Sequence, residues 1–180
     1  GAAREHRFFG HLERPGDVFT AMIEPYVGWI GARGISENPF VGLRGELRAR
    51  LFDAGVVSFS PFYRAEVLHY RDDAFGLDPT QKDPAAGGYF SPQLYVEQVP
   101  GLRIDGHWGA AHELTLEGGP AAQFVKDAGG SIRFELGGHA RLAYVLSLSD
   151  AISWTLETRF TRIGDAYTRG EATTSLRFAF

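Results

Sequence analysis

The sequence predicts an all-β fold: an antiparallel, up-and-down transmembrane β-barrel with about eight strands in this chain, either a whole small barrel or half of a larger one. Three observations predict it. Apolar and polar residues alternate with period two through most of the chain. Many alternating stretches run beyond ten residues, where an ordinary strand has about five or six and a tilted strand crossing a bilayer needs about 9–11. The links between them alternate long and short, as in barrels with short periplasmic turns and longer outer loops.

The elements follow in order. Residues 1–17, "GAAREHRFFGHLERPGD", do not alternate cleanly and read as a periplasmic lead-in or the remnant of an earlier strand, which leaves 18–180 as the barrel. Residues 18–31 alternate through Phe19, Ile23, Val27 and Trp29, with Pro25 costing a ladder hydrogen bond. In 40–52, Val41, Leu43, Leu47, Ala49 and Leu51 share one face and Arg44, Glu46, Arg48 and Arg50 the other. Residues 55–70 run through Val57, Phe59, Tyr63 and Val67, and 88–98 are short and irregular. In 102–117, Leu102, Ile104, Trp108, Ala110, Leu114 and Leu116 oppose Arg103, Asp105, His107, Glu113, Thr115 and Glu117. In 131–146, Ile132, Phe134, Leu136, Leu142 and Tyr144 oppose Arg133, Glu135, His139 and Arg141. A helical face through Leu142, Val145 and Leu146 competes over 139–148, but the alternation upstream favours a strand. Residues 151–163 set Ile152, Trp154, Leu156 and Phe160 against Ser153, Thr155, Glu157, Arg159 and Thr161, and 171–180 close the chain.

Links 32–38, 71–87, 118–130 and 164–170 read as long, and 53–54, 99–101 and 147–150 as short. With Phe180 at the periplasmic rim, every short turn falls on the periplasmic side and every long loop outside, which places the chain in a bacterial outer membrane. The last strand, with Leu176, Phe178 and Phe180 at alternate positions, looks like the assembly signal read by the outer-membrane barrel assembly machinery. A strand edge with an aromatic end can pair with that machine's own edge.

Alternation alone does not say which face meets lipid. The polar faces are rich in Arg, Glu and His rather than in Lys, Ser and Thr, and aromatics recur near strand ends as interfacial girdles do. Both features point the apolar face at outer-membrane lipid. The lumen-lining polar set is then Arg44, Glu46, Arg48, Arg64, Glu66, Arg103, Asp105, His107, Glu113, Arg133, Glu135, His139, Arg141, Glu157 and Arg159. In an eight-stranded barrel these side chains would pair as a plug; in one of about sixteen strands they would line a wet channel. A soluble lipocalin-like carrier, with the apolar face inside, is the competing fold.

Composition narrows the chemistry. There is no Cys, which excludes disulfides and thiolate sites, and a net charge of −4 without a basic run argues against nucleic acid. None of the six His has a close metal-binding spacing. A His–Ser hydrolase would use His139 or His107 with Ser153 or Ser175, but no nucleophile signature surrounds either serine. Asp105 and Glu113, eight residues apart on one expected strand, are too distant for joint acid–base work. No enzyme activity, cofactor or metal is expected.

The most specific stretch is "GGYFSPQLY", residues 87–95, after the polar loop "RDDAFGLDPTQKDPAA". With the strand order around it and the terminal Phe, it resembles the carboxy-terminal outer-membrane barrel of the bacterial exopolysaccharide exporters that serve cellulose synthase. The resemblance runs over most of 18–180 and is specific at 87–93. The family carries a tetratricopeptide region, absent here, and a barrel of about twice this length. The resemblance implies a passive conduit for a cellulose-like polysaccharide chain, with Tyr89, Phe90, Ser91, Pro92 and Gln93 at the extracellular rim. The partners it implies are a periplasmic scaffold and an inner-membrane synthase. A small closed barrel with a structural or loop-binding role is the alternative, through loops 71–87 and 118–130.

Overall fold

The computed structural model describes residues 4–32, 35–72, 92–126, 130–163 and 167–178. The described residues form these strands: β1 (Arg4–Phe9), β2 (Leu12–Arg14), β3 (Phe19–Ala32), β4 (Ile35–Ala49), β5 (Phe52–Asp53), β6 (Val57–Tyr70), β7 (Leu94–Trp108), β8 (His112–Lys126), β9 (Ile132–Ser149), β10 (Ile152–Ile163) and β11 (Tyr167–Phe178). They make one antiparallel sheet in the order β1-β3-β4-β6-β7-β8-β9-β10-β11. β2 prolongs the β1 position along β3, and β5 prolongs the β4 position along β6. The sheet is an up-and-down meander curled into a half-barrel.

Several sequence expectations are corrected. The ladder has nine strand positions rather than eight, because Arg4–Phe9 pairs with β3 from Gly31 to Tyr26. Residues 99–101 are not a turn: Val99, Pro100 and Gly101 lie inside β7, and the ladder to β8 skips them between Gln98–Ala122 and Leu102–Gly118. Pro100 has no N–H to give, so it interrupts the ladder without reversing the chain. Residues 102–117 are not one strand, since the chain reverses at Gly109–Ala111, where Gly109 takes φ +63. Most of 118–130 is strand, the end of β8. Residues 139–148, by contrast, lie in strand β9, as the alternation upstream favours.

These changes redistribute the links. Turns 54–56, 109–111 and 150–151 share one end of the sheet, with the last described residue, Phe178. Links 33–34, 71–93, 127–131 and 164–166 share the other, and among them only 71–93 is long. The expected strict alternation of long and short is therefore reduced to one long link at the end opposite the hairpins.

Curvature needs room on the inner side, and glycine supplies it. A Cβ on Gly42 would sit 2.1 Å from Cζ of Tyr26, whose ring crosses over it. Gly42→Ala is therefore expected to cost about 1–3 kcal/mol through displacement of that ring. Gly45→Ala, with nothing closer than 3.9 Å, should be neutral or better. Denaturant midpoints of the two variants in detergent compare them directly.

Candidate functional site: the concave face

Inward and outward positions follow from the pleat and the register. Inward on β3, β4 and β6 are even-numbered residues; from β7 to β11 they are odd-numbered. Every sequence-predicted lumen residue lies on this inward face. Several bonds skip a strand: Tyr26 on β3 reaches Glu66 on β6, Arg64 on β6 reaches Glu117 on β8, and Glu97 on β7 reaches His139 on β9. Contacts over an intervening strand identify this as the concave side.

The charges there are organised in clusters. Arg44 holds Glu66 through Nε and Nη2 at 3.2–3.3 Å and reaches Glu24 at 3.4 Å. Tyr26 donates its hydroxyl to Glu66. Glu46, 7% exposed, accepts from Arg48 and from Arg64, the latter at 2.7 Å. Arg103 and Thr115 donate to Asp105 at 2.8 and 2.7 Å. Glu157 accepts from Arg141 at 2.7 Å and also from Arg159. Arg133 and Glu135 approach to 3.8 Å.

The most enclosed cluster centres on Glu97, 3% exposed. The Tyr95 hydroxyl and Gln123 Nε2 each donate to its Oε1 at 2.6 Å, and His139 Nε2 lies 2.8 Å from Oε2. A carboxylate only accepts, so His139 donates from Nε2, while its Nδ1 lies 3.3 Å from the Thr161 hydroxyl. One network thus fastens β7, β8, β9 and β10.

Along the barrel axis the concave face changes character. At the long-link end Tyr26, Ile30, Phe40, Leu68, Tyr70, Tyr95 and Val125 form an apolar cluster, and the Arg7 guanidinium lies 4.5 Å from the centre of the Tyr26 ring. Beside it runs a polar groove of about 580 Å³, reaching from Glu24 through Glu46, Arg64 and His139 to Glu171. A second, polar cavity of about 330 Å³ lies toward the hairpin end, lined by Arg50, Asp53, Arg103, Asp105, His107 and Glu113.

The carboxylate expectation changes with the hairpin, which also parts two histidines. His107 and His112 sit on two strands, and His112 faces outward, 2.7 Å from the Tyr144 hydroxyl. Asp105 and Glu113 lie on adjacent strands and line one cavity. Ser153 pairs with Arg177 and Ser175 with Thr155, and neither is bonded to a histidine among the described residues. Of the expected rim residues, Pro92 is buried, Gln93 offers its carbonyl to His69, and Tyr89, Phe90 and Ser91 fall outside the described residues. Leu176 and Phe178 are exposed on the outer face; Phe180 falls outside the described residues.

The outward face is the reverse of the inward one. Ile23, Val27, Val41, Leu43, Leu47 and Phe134 are about half exposed. Among the described residues of β3 to β11, the charged residues at outward positions are Glu37, Lys126 and Arg162, all near the long-link end. Aromatics gather toward both strand ends: Trp108, Tyr144, Trp154 and Phe178 at the hairpin end, Trp29, Phe124 and Phe134 toward the other. Tyr144 and Trp154 pack edge to face, and Phe124 contacts Phe134 with ring centres 5.3 Å apart.

Sequence reasoning missed Glu24, Tyr26, Tyr95, Glu97, Glu117 and Gln123 as members of the inner network. Parity finds Glu24 and Tyr26 on β3 and Glu117 on the polar face already read for 102–117, while Tyr95, Glu97 and Gln123 follow once the true bounds of β7 and β8 are known. In comparisons with known proteins, no family model matches the chain, and no curated protein matches it.

Proposed function

We propose that this half-barrel is the wall of an outer-membrane conduit, with its apolar face against lipid and its charged face toward a water-filled lumen. The observation that carries the reading is sidedness. A water-soluble barrel hides its apolar side chains inside; here large apolar side chains stand outside on every long strand, while the carboxylates and guanidinium groups, apart from Glu37 and Arg162 near the long-link end, are inside. Glu97 and Gln123 are nearly or fully enclosed while Leu43 and Leu47 are half exposed, an order that only an apolar solvent rewards. The aromatics near both strand ends fit interfacial girdles.

The cargo class follows from the resemblance at 87–93 and from the inner surface. Paired Arg and carboxylate groups beside a polar groove suit a hydroxyl-rich polymer, which both accepts from guanidinium and donates to carboxylate. The reading is passive export of an exopolysaccharide of cellulose-like type, driven by synthesis elsewhere. A closed barrel with a binding or structural role is favoured by one observation, the apolar cluster at the long-link end, which would stopper a narrow barrel.

The experiment takes the protein extracted from its native membrane. It should need detergent to stay in solution, resist carbonate extraction, and give a steady conductance in planar bilayers that long oligosaccharides reduce. A silent channel would overturn the conduit in favour of the closed barrel. A folded monomer in plain buffer would overturn both.

A further inference from the structure

On the outward face of β7, among Leu94, Val96, Leu102 and Ile104, stands Gln98. Among the described residues it is the one side-chain amide on that face. The Tyr63 hydroxyl donates to its Oε1 at 3.0 Å. Its Nε2 carries two N–H groups, and nothing among the described residues accepts from them. In water an exposed amide is at ease; against lipid those donors have nothing to turn to.

The backbone beside Gln98 is open too. The register on either side, Gln98 with Ala122 and Leu102 with Gly118, sets Pro100 opposite Pro120. Neither has an N–H, so each carbonyl oxygen there lacks the donor that the ladder supplies elsewhere. Donors and acceptors without partners thus lie side by side on one outward patch. Next to it, Gly118 and Ala140, paired across β8 and β9, and Thr158 on β10 leave a shallow apolar hollow of about 410 Å³, walled by Leu102, Leu142 and Phe160. Small residues on a lipid-facing surface let a second backbone approach closely.

We propose that this patch is the contact between two copies of the chain within the membrane, paired about a two-fold axis along the membrane normal. This rests on the membrane-barrel reading. The patch is complementary to itself, as a two-fold contact requires: Gln98 offers the N–H groups that the open carbonyls lack, and a second copy brings both. Such an axis keeps height and reverses strand order. Passing between β7 and β8 at the proline pair, it sets Gln98 of each copy against Pro120 of the other. It also sets β6 against β9, which brings the half-exposed Tyr63 ring to the other copy's hollow. An acyl chain would fill the hollow but leave the amide and the carbonyls unmet.

The chain contains no Cys, so a cysteine placed at Ala122, opposite Gln98 and beside the axis, can form a disulfide only with another chain. Leu43→Cys, outward on β4 and outside the patch, is the control. Oxidation in native membranes is expected to give a product of twice the chain mass from Ala122→Cys and none from Leu43→Cys. Adding Gln98→Leu to Ala122→Cys should lower the yield about tenfold, the effect of two hydrogen bonds lost in lipid. A product at the mass of one chain only, equal yields at the two positions, a cross-link to a different protein, or a yield that Gln98→Leu leaves unchanged would each overturn the proposal. The unaltered protein gives a second readout in mild detergent, by native mass measurement. Twice the mass of one chain is expected, and one chain carrying bound lipid overturns the proposal. Carbonate extraction of the same membranes separately reports whether the membrane reading itself holds.

Discussion

If the outer face meets lipid as proposed, replacing Leu43 by arginine is expected to destabilise the folded barrel in a bilayer by about 2–4 kcal/mol, the cost of a cation facing lipid near mid-membrane. Leu43 lies mid-strand in β4, outward, between Pro25 and Val67, and is 50% exposed. In water the same substitution would change stability by no more than about 0.5 kcal/mol, as surface substitutions do. The magnitude therefore reports the solvent that Leu43 meets. Ile132→Arg, outward at the start of β9 near the long-link end, should cost only about 0–1 kcal/mol because it sits close to the interface. Urea titrations in lipid vesicles, followed by tryptophan fluorescence, measure both. Equal tolerance at the two positions would contradict a lipid-facing belt.

Alternation made the class of fold and the composition of both faces legible, but not where the chain turns. The hairpin at Gly109–Ala111 shows why. Trp108 pairs with His112, four residues on, so the inward–outward phase is the same on both strands. A period-two pattern therefore runs through the turn unbroken, and only the glycine marks it. The converse error came at Pro100 and Gly101. Proline and glycine usually punctuate, yet here Pro100 leaves a gap in the ladder, and Gly101 makes way for the Phe62 ring, whose Cζ would lie 2.3 Å from an added Cβ. Local turn chemistry cannot distinguish a bend in a strand from its end.

The charged residues of the site were legible because they alternate with bulky apolar ones. Glu97 and Gln123 were not, because the inward neighbours Val99, Ala121 and Val125 are apolar and the contrast between faces vanishes there. The link Gly-Gly-Pro at 118–120 then reads as loop, hiding a residue with no exposure at all. Which carboxylate meets which cation also lay beyond periodicity. Arg64 joins Glu46 and Glu117, 18 and 53 residues away, and only curvature brings the latter across β7.

Glu97→Ala is expected to be the most damaging single change on the concave face, at about 2–5 kcal/mol, since it removes the acceptor at 2.6 Å that the buried Tyr95 hydroxyl and the buried Gln123 amide share, and leaves Gln123 Nε2 the Arg162 carbonyl at 3.4 Å. Tyr95 and Gln123 are 5% and 0% exposed, so neither can turn to water in place. His139 loses its Nε2 partner at the same time, and with it the tie that carries the network to Thr161 on β10. Glu97→Gln should recover much of the loss, because an amide oxygen still accepts from Tyr95 or Gln123 at unchanged volume. Glu157→Ala offers the contrast. Its carboxylate pairs with Arg141 and with Arg159, whose side chain is 58% exposed, and a pair that water reaches contributes about 1 kcal/mol or less. Denaturant unfolding of the three variants in detergent orders them. Hydrogen exchange adds the location: amides of β7 to β10 should open together in Glu97→Ala and stay protected in Glu157→Ala. If the two alanine variants prove equally mild, Glu97 is not the fastening point of the wall.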